Sequence, residues 1–239
     1  MASAFPPTRH SVIERLRRED PADRTAAFGD LVEGYWKPVY KHLRTTWRLS
    51  AEDAQDLTQA FFSDAFQKAW LEKYEPGKAR FRTFVRVCVD RFAMNARQAS
   101  ARMKRGGDVR TVSLDFDEAE HEVRAQSLAS APDAEDFFRQ EFVRALFQRA
   151  VNETRAEMER SGRAVHFKLF ERYDIDPSDG VSYAALAQEL GLTESQVTNH
   201  LAVVRRTFRG HALTALRGLC ATDEEFRREA RELFGMEVQ

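Results

Sequence analysis

Apolar side chains recur every three or four residues along most of this 239-residue chain. The clearest case lies within Val181–Leu216, where Val197, Leu201, Val204 and Phe208 follow one another at helical spacing. Such spacing places them on one face of a helix with about 3.6 residues per turn. Alternating polar and apolar runs, which half-buried strands require, are scarce, and Gly and Pro number only 11 and 7. The sequence therefore predicts an all-α fold.

The same stretch carries the signals of a tight turn between two helices. Gly191 follows an apolar stripe, at the point where a helix end favours a left-handed residue. Thr193 and Gln196 have the spacing of a capping box, which begins a helix. Two amphipathic helices connected at a glycine also occur in many helical proteins that bind no DNA, so this pattern alone leaves both interpretations open.

The polar face of the second predicted helix is divided as in a DNA-recognition helix. Short polar side chains occupy its first turns and arginines its later ones. Short side chains can reach base edges in the major groove, and arginines can hold phosphates. The face comprises Ser195, Thr198, Asn199, Ala202, Arg206 and Arg209, with Arg205 at its edge.

The net charge of −1 conceals an uneven distribution. Residues 1–105 carry 20 Lys and Arg against 13 Asp and Glu, whereas residues 106–142 carry 3 against 10. A basic first part favours a polyanionic partner, although ordinary surface charge explains the excess as well. The composition predicts two helical domains, over 1–105 and 134–239, joined by a flexible acidic linker over 106–133. The linker acids are Asp115, Asp117, Glu118, Glu120 and Glu122.

Two predicted helices of the first domain have unusual surfaces. The helix capped by Ser50 has a second apolar strip, Phe62 and Phe66, so it is either buried in a helical core or docks on a partner. The next helix, from Phe81 to Met103, mixes arginines with aromatic residues. That mixture suits single-stranded nucleic acid, whose bases stack and whose phosphates pair with arginine. A solvated basic helix explains it equally well.

The chain carries no recognisable mark of catalysis. A Gly-rich phosphate loop, a nucleophile elbow and paired metal-ligand spacing are all missing from the sequence, and its six histidines are scattered. Cys88 and Cys220 are expected to be buried, reduced thiols. Neither a signal peptide nor an apolar run of about 20 residues is visible. We therefore expect a cytoplasmic protein that is not an enzyme, is not inserted in a membrane, and has no cofactor, metal or catalytic residue.

Taken in order, these parts resemble a bacterial RNA polymerase sigma factor of the extracytoplasmic-function group. The resemblance depends on DLTQAFF at 56–62, EPGKARFRTFVR at 75–86 with the basic helix after it, the acidic linker and the C-terminal helix-turn-helix. It covers about 28–105 and 138–216, which correspond to regions 2 and 4 of the family. The resemblance implies a factor that binds core polymerase, reads the upstream promoter element and melts the minus-ten element.

The resemblance also implies roles for individual residues and partners. Docking on a coiled coil of the largest polymerase subunit would involve Asp56, Gln59, Phe62 and Phe66. Contacts to the minus-ten element would come from Lys78, Arg80, Arg82, Arg86, Arg91 and Asn95. Contacts to the minus-thirty-five element would come from Ser195, Thr198, Asn199, Ala202, Arg205 and Arg206. The implied partners are core polymerase, through its largest and flap-bearing subunits, promoter DNA, and an anti-sigma factor or a kinase.

Some features depart from the family pattern or add to it. Arg91 and Asn95 stand where the family often carries Asn and then Asp, which leaves the base preference open. Residues 152–180 form a longer lead-in than compact members have, and suggest a regulatory or subgroup-specific role. Thr58 lies within the docking helix, where a phosphate would add about −2 charge and alter polymerase binding.

Two further hypotheses follow from this arrangement. The acidic linker is a candidate to run through the positively charged nucleic-acid channel of the polymerase. The alternative to a sigma factor is an autonomous helix-turn-helix regulator whose first domain senses a signal or dimerises. Such a regulator would bind duplex DNA tightly without polymerase.

Overall fold

The computed structural model describes residues 12–18, 20–100, 114–125, 133–177 and 180–238. These residues form helices and turns, with no strand among them, which confirms the predicted all-α fold. The α-helices are α1 Val12–Leu16, α2 Pro21–Thr45, α3 Ala51–Gln67, α4 Phe81–Ser100, α5 Phe116–Ala125, α6 Ala134–Arg160, α7 Ala164–Phe170, α8 Tyr183–Leu190, α9 Glu194–Leu219 and α10 Asp223–Phe234. A 3₁₀ turn, Trp70–Lys73, follows α3, and a π-helical turn, Glu171–Ile175, follows α7.

Local sequence signals begin several of these helices. The Ser50 side chain accepts a hydrogen bond from the backbone of Asp53 at 3.0 Å and caps α3. The Thr222 hydroxyl caps α10 in the same way, through the backbone of Glu225 at 3.1 Å. The Ser50 cap agrees with the helix start predicted from the sequence. Pro38 lies inside the continuous helix α2.

The described residues divide into two compact units. The first contains the residues up to Ala145 together with those from Leu216 onward, and the second is Leu146–Ala215. Helices α6 and α9 each contribute residues to both units. This division differs from the predicted domain boundaries at 105 and 134, because α5, the first turns of α6 and all of α10 belong to the first unit.

Tyr35 of α2 lies in the core of the first unit and is 1% exposed. Its ring stacks on Phe142 at a centroid distance of 5.1 Å and meets Phe81 edge-on at 5.8 Å. Helix α2 thereby packs against both α4 and α6. The neighbouring Gly34 admits Leu219 of α9, since a Cβ at this glycine would lie 2.5 Å from the leucine Cδ1.

The predicted flexible linker contains a docked helix, α5. Phe116 packs edge-on against Trp36 at 5.4 Å and against Tyr40 at 5.1 Å, and Ala119 and Val123 are buried beside it. The prediction of a flexible linker is wrong for this segment. The segment has only a short apolar face, and the many carboxylates around that face dominate its composition. The remaining predicted linker residues include 106–113 and 126–132, which lie outside the described residues.

The second unit has a core of its own. Its buried residues come from the later part of α6 and from α7, α8 and α9: Val151, Met158, Phe167, Leu169, Phe170, Leu186, Ala187, Val197, Leu201 and Val204. The unusually long lead-in, residues 152–180, supplies Met158, Phe167 and Phe170 to this core. It therefore supports the α8–α9 pair, and a regulatory role for it stays a prediction.

Candidate nucleic-acid and protein interfaces

The turn between α8 and α9 has the predicted geometry. Gly191 adopts a left-handed conformation with φ of 65° at the end of α8. The Thr193 backbone donates to Gln196 Oε1 at 2.8 Å, and the Gln196 backbone donates to Thr193 Oγ1 at 3.2 Å. These reciprocal hydrogen bonds form the capping box expected from the sequence. They hold the first turn of α9 in a defined position beyond the turn.

Helix α9 separates a buried face from an exposed one. Val197, Leu201 and Val204 are fully buried. The opposite face is exposed, and it carries Ser195, Thr198, Asn199, Ala202, Arg206 and Arg209. Short side chains therefore come before arginines along a helix whose other side is anchored in the core. This is the distribution that a major-groove reading helix requires.

Arg205 differs from the other predicted contacts on α9 because its guanidinium has partners within the protein. It donates to both carboxylate oxygens of Asp174, at 2.8 and 2.9 Å. The group also lies 5.7 Å from the ring centre of Tyr173 and 3.4 Å from the hydroxyl of Tyr183. Arg205 thus fastens the π-helical turn and α8 to α9. The bidentate pair gives Arg205 a structural role, and its predicted contact to DNA stays a prediction.

An apolar groove of about 480 Å³ lies along α3. Its lining residues come from α2, α3 and the segment before α5: Thr25, Phe28, Val32, Gln59, Phe62, Ser63, Phe66, Gln67 and Leu114. Phe28 of α2 faces Phe66 at 4.9 Å and Phe62 at 6.4 Å between ring centres. Gln59, Phe62 and Phe66, three of the four predicted polymerase-docking residues, therefore meet in one groove. Asp56 is exposed about one turn before Gln59 on the same helix.

Phe62 and Thr58 are more deeply placed than the sequence suggested. Phe62 is 3% exposed, so its ring forms the floor of the groove and not a projecting strip. Thr58 is 0% exposed, and its hydroxyl donates to the Ala54 carbonyl at 2.7 Å. A kinase could reach this hydroxyl only after the surrounding packing had opened.

The arginines before and at the start of α4 are paired with carboxylates of α10. Arg82 is 4% exposed and lies 3.0 Å from Glu229, which is 2% exposed, and 3.2 Å from Glu232. Arg80 makes a two-pronged pair with Glu232 and lies 3.0 Å from Glu229. Burial raises the pKa of Glu229, and the neighbouring arginines oppose that effect. Arg82 is buried and Arg80 is partly covered by these carboxylates, and their predicted contacts to the minus-ten element stay a prediction.

Arg86 is also engaged. It lies 2.6 Å from Glu135 of α6 and 2.7 Å from Asp90. Asp90 in turn bonds to the ring of the buried His42 at 2.7 Å and accepts from the Trp47 indole at 2.8 Å. Burial works to raise the pKa of Asp90, but these partners and Arg86 bring it below its ordinary value. Arg86 is thus part of a charged network that connects α4 with α2 and α6.

The remaining predicted minus-ten residues are exposed. Arg91 and Asn95 lie four residues apart on the second half of α4, on a surface that also presents Arg97 and the 51%-exposed Met94. Lys78 lies in the turn before the helix. Its ammonium group lies 2.6 Å from the Glu75 carboxylate, and both side chains are exposed to solvent. Solvent-exposed pairs of this kind contribute little and are easily exchanged. The structure therefore separates the predicted set into a covered group and an open group.

The acidic residues of α5 are held by basic residues of α2. Glu120 accepts from Arg44 at 2.8 Å through both oxygens and from the Tyr40 hydroxyl at 2.8 Å. The Arg44 bonds, against the opposing effect of burial, lower the pKa of Glu120 to about 2. Glu122 pairs with Lys37 and Lys41. These contacts give α5 partners inside the first unit, so its acids do not form the free chain that the channel hypothesis assumed.

Other kinds of site have little basis in the described residues. No group of three or more His, Cys, Asp or Glu there could hold a metal ion. Cys88 and Cys220 are free thiols, and burial raises the pKa of Cys88 to about 11, which keeps it protonated near neutral pH. Among the same residues, no helix is both long and apolar enough to cross a membrane.

Neither a protein-family model, nor a curated protein, nor a solved structure matches this chain. What it binds is therefore inferred from its own surfaces. Three of them are distinctive: the exposed face of α9, the groove along α3, and the basic helix α4 with its covered and open halves.

Proposed function

We propose that this chain is a promoter-specificity subunit of bacterial RNA polymerase, of the extracytoplasmic-function sigma group. The first unit binds core polymerase and captures the minus-ten strand, and the second unit reads the minus-thirty-five element. Each of these roles has its own surface. The α3 groove binds polymerase, the second half of α4 binds single-stranded DNA, and the exposed face of α9 binds the duplex.

The α3 groove is the observation that carries this proposal. A regulator that acts alone has no need of an apolar groove of about 480 Å³ on the unit that does not contain the reading face of α9. Phe28 and Phe66 form an aromatic wall, and the polar Gln59 and exposed Asp56 lie beside it. Apolar grooves with a few polar groups at the rim suit an amphipathic helix of a partner. A coiled coil of the polymerase presents helices of that kind.

The two candidate DNA surfaces differ in the chemistry they offer. On α9, Ser195 and Asn199 are short donors and acceptors near the helix start, where base edges are within reach, and Arg206 follows two turns later. On α4, Arg91 and Asn95 are joined by Met94, an exposed apolar side chain that an unstacked base can cover. The first surface suits a duplex and the second suits an opened strand.

Run-off transcription with core bacterial polymerase tests the proposal. The template is a library of promoter fragments, transcribed with and without the full chain. Transcripts that depend on the protein are expected, and they should be lost with Asp56→Arg or Phe66→Ala. Phe66 is partly exposed, so its truncation disturbs the fold less than that of Phe62, whose side chain is buried.

The matched control is Lys68→Glu, a charge reversal at the residue that follows α3. This lysine does not line the groove and is 69% exposed. The variant should transcribe like the unmodified chain. A loss of transcription in the control as large as in Asp56→Arg would contradict the assignment of the groove. Protein that binds duplex DNA tightly alone and supports no transcript would favour the autonomous regulator.

A further inference from the structure

Helix α10 uses charged residues where a docked helix normally uses apolar ones. Its buried residues are Glu225, Phe226, Glu229 and Ala230, so two of the four are carboxylates. An amphipathic helix that stays permanently in a core usually buries an apolar stripe. The attachment of α10 to the first unit therefore depends strongly on the groups that its carboxylates meet.

Those groups are the arginines and the first backbone amide of the basic helix. Glu225 accepts from the Phe81 backbone amide at 2.6 Å, at the start of α4. Glu229 and Glu232 take Arg80 and Arg82, as described above. A carboxylate at a helix N-terminus and carboxylates on arginine forks occupy the kinds of position that phosphate groups favour. Helix α10 thus places three carboxylates where a nucleic-acid backbone could bind.

The cover continues onto α6. Glu135 lies 2.6 Å from Arg86 and 3.3 Å from Arg82, and it accepts from the Thr83 hydroxyl at 2.7 Å. The three covered arginines, Arg80, Arg82 and Arg86, are called the arginine cluster below. Every member of the cluster is paired with at least one carboxylate of α6 or α10, whereas Arg91 and Asn95 in the second half of α4 are exposed.

The ion pairs between α10 and the arginines hold α10 on the first unit, but their geometry allows another anion to replace the α10 carboxylates. Glu229 Oε1 lies 3.0 Å from Arg80 Nε, but it is buried without a well-aligned hydrogen bond. Buried ion pairs with unsatisfied oxygens contribute little net stability, because desolvation offsets most of the attraction. A phosphate backbone offers the same arginines equivalent oxygens and releases its condensed counterions on binding. Single-stranded DNA can therefore compete with the α10 carboxylates for Arg80 and Arg82.

We propose that α10 is an acidic cover that occupies Arg80 and Arg82 of the arginine cluster in the free protein and is displaced by the phosphates of the opened promoter strand. This inference rests on the function proposed above for α4. It adds a regulation of that site: the free chain holds single-stranded DNA only with the open half of α4, and full capture requires α10 to leave.

The test compares two charge removals on the same helix. Glu232→Gln removes a carboxylate that pairs with Arg80 and is 35% exposed, so the variant should fold. Glu224→Gln is the matched control, because Glu224 is 82% exposed and pairs only with Arg228 of its own helix among the described ion pairs. Fluorescence anisotropy with a labelled single-stranded oligodeoxynucleotide, without polymerase, gives the affinity of each full-length variant.

We expect Glu232→Gln to bind the oligonucleotide about fivefold more tightly than the unmodified chain, as the loss of one charge-assisted contact allows. Its affinity should also fall more steeply with salt, since more phosphates are neutralised. Glu224→Gln should stay within about twofold of the unmodified chain. Arg80→Ala added to Glu232→Gln should abolish the gain, which attributes it to the arginine cluster.

Equal affinities of Glu232→Gln and Glu224→Gln would overturn the cover. A lower melting temperature of Glu232→Gln without tighter binding would mean that α10 is only a structural support, and would overturn it too. The result does not depend on the run-off assay. If the unmodified chain supports no transcription, the sigma assignment fails whatever the oligonucleotide shows, and if transcription occurs with equal affinities, only the cover fails.

Discussion

Lys41 of α2 and Glu141 of α6 form an ion pair at 2.6 Å in which each side chain is 1% exposed. Glu122 of α5 contacts the same ammonium group, although it is 36% exposed. Three helices of the first unit thus meet at one buried positive charge. Removing each of these charges from water costs several kcal/mol, and the attraction between them offsets that cost. Loss of either partner would therefore leave a buried charge without compensation and destabilise the fold.

Glu141→Leu should destabilise the protein by about 3 kcal/mol, because it leaves the buried Lys41 ammonium with Glu122 as its one remaining carboxylate among the described residues. The double variant Lys41→Met/Glu141→Leu should be more stable than that single variant. Glu122 then loses a partner, but its exposure lets water replace the contact. Urea unfolding of both variants measures the difference. A double variant less stable than Glu141→Leu would show that the charges stabilise the fold by themselves.

The pairing of α5 with α2 should make stability depend on acid pH. Because the pKa of Glu120 falls from 4.5 to about 2 on folding, its contribution is fully present above pH 4.5. The contribution is lost as the pH falls through about 2. Glu120→Gln should therefore lower the melting temperature near neutral pH, and the gap to the unmodified chain should close in acid. Asp117→Asn, an exposed change on the same helix, should show no such gap.

Gly34 should not tolerate a side chain. Gly34→Ala would place a Cβ 2.5 Å from Leu219 Cδ1, and overpacking of this kind costs about 1–3 kcal/mol. Gly29→Ala on the same helix meets nothing within 4 Å and should stabilise it by about 0.5–1 kcal/mol, since alanine is the better helix former. In thermal unfolding, Gly34→Ala should therefore lower the melting temperature and Gly29→Ala should raise it. Stabilisation by both would mean that Leu219 moves aside freely.

Neighbouring arginines on α9 should have different roles. Arg206→Ala removes an exposed cation from the DNA face and should weaken duplex binding without changing stability. Arg205→Ala breaks the pair with Asp174 and should lower the stability of the second unit by about 1 kcal/mol. Melting temperatures and anisotropy with a duplex selected from the promoter library separate the two effects. Equal losses of stability in Arg205→Ala and Arg206→Ala would contradict the different roles assigned to these two residues.

Local signals in the sequence predicted a good part of the fold. The predicted helix starts at Ser50 and Thr193 agree with the structure, and so does the turn at Gly191. Each of these features depends on a hydrogen bond or a backbone preference within about four residues. A short window of sequence contains both partners of each such contact, so the local pattern is enough to predict these helix starts and this turn.

The candidate sites were predicted less completely. The exposed face of α9 follows from periodicity, because one side of a helix must enter the core. The ion pairs of Arg82 and Arg205 do not follow from periodicity, because their partners Glu229 and Asp174 are 147 and 31 residues away in the chain. An arginine on a predicted surface looks the same whether it meets solvent or a carboxylate from another helix.

The sequence by itself determined the all-α class, the helix starts and the division of α9 into a core face and a polar face. These depend on spacing and on contacts between near neighbours in the chain. Only the tertiary structure decided that α5 docks on α2, that α10 joins the first unit, and that the α10 carboxylates pair with Arg80 and Arg82. The physical reason is that such contacts depend on the free energy of packing distant segments together, and no local window of sequence contains both partners.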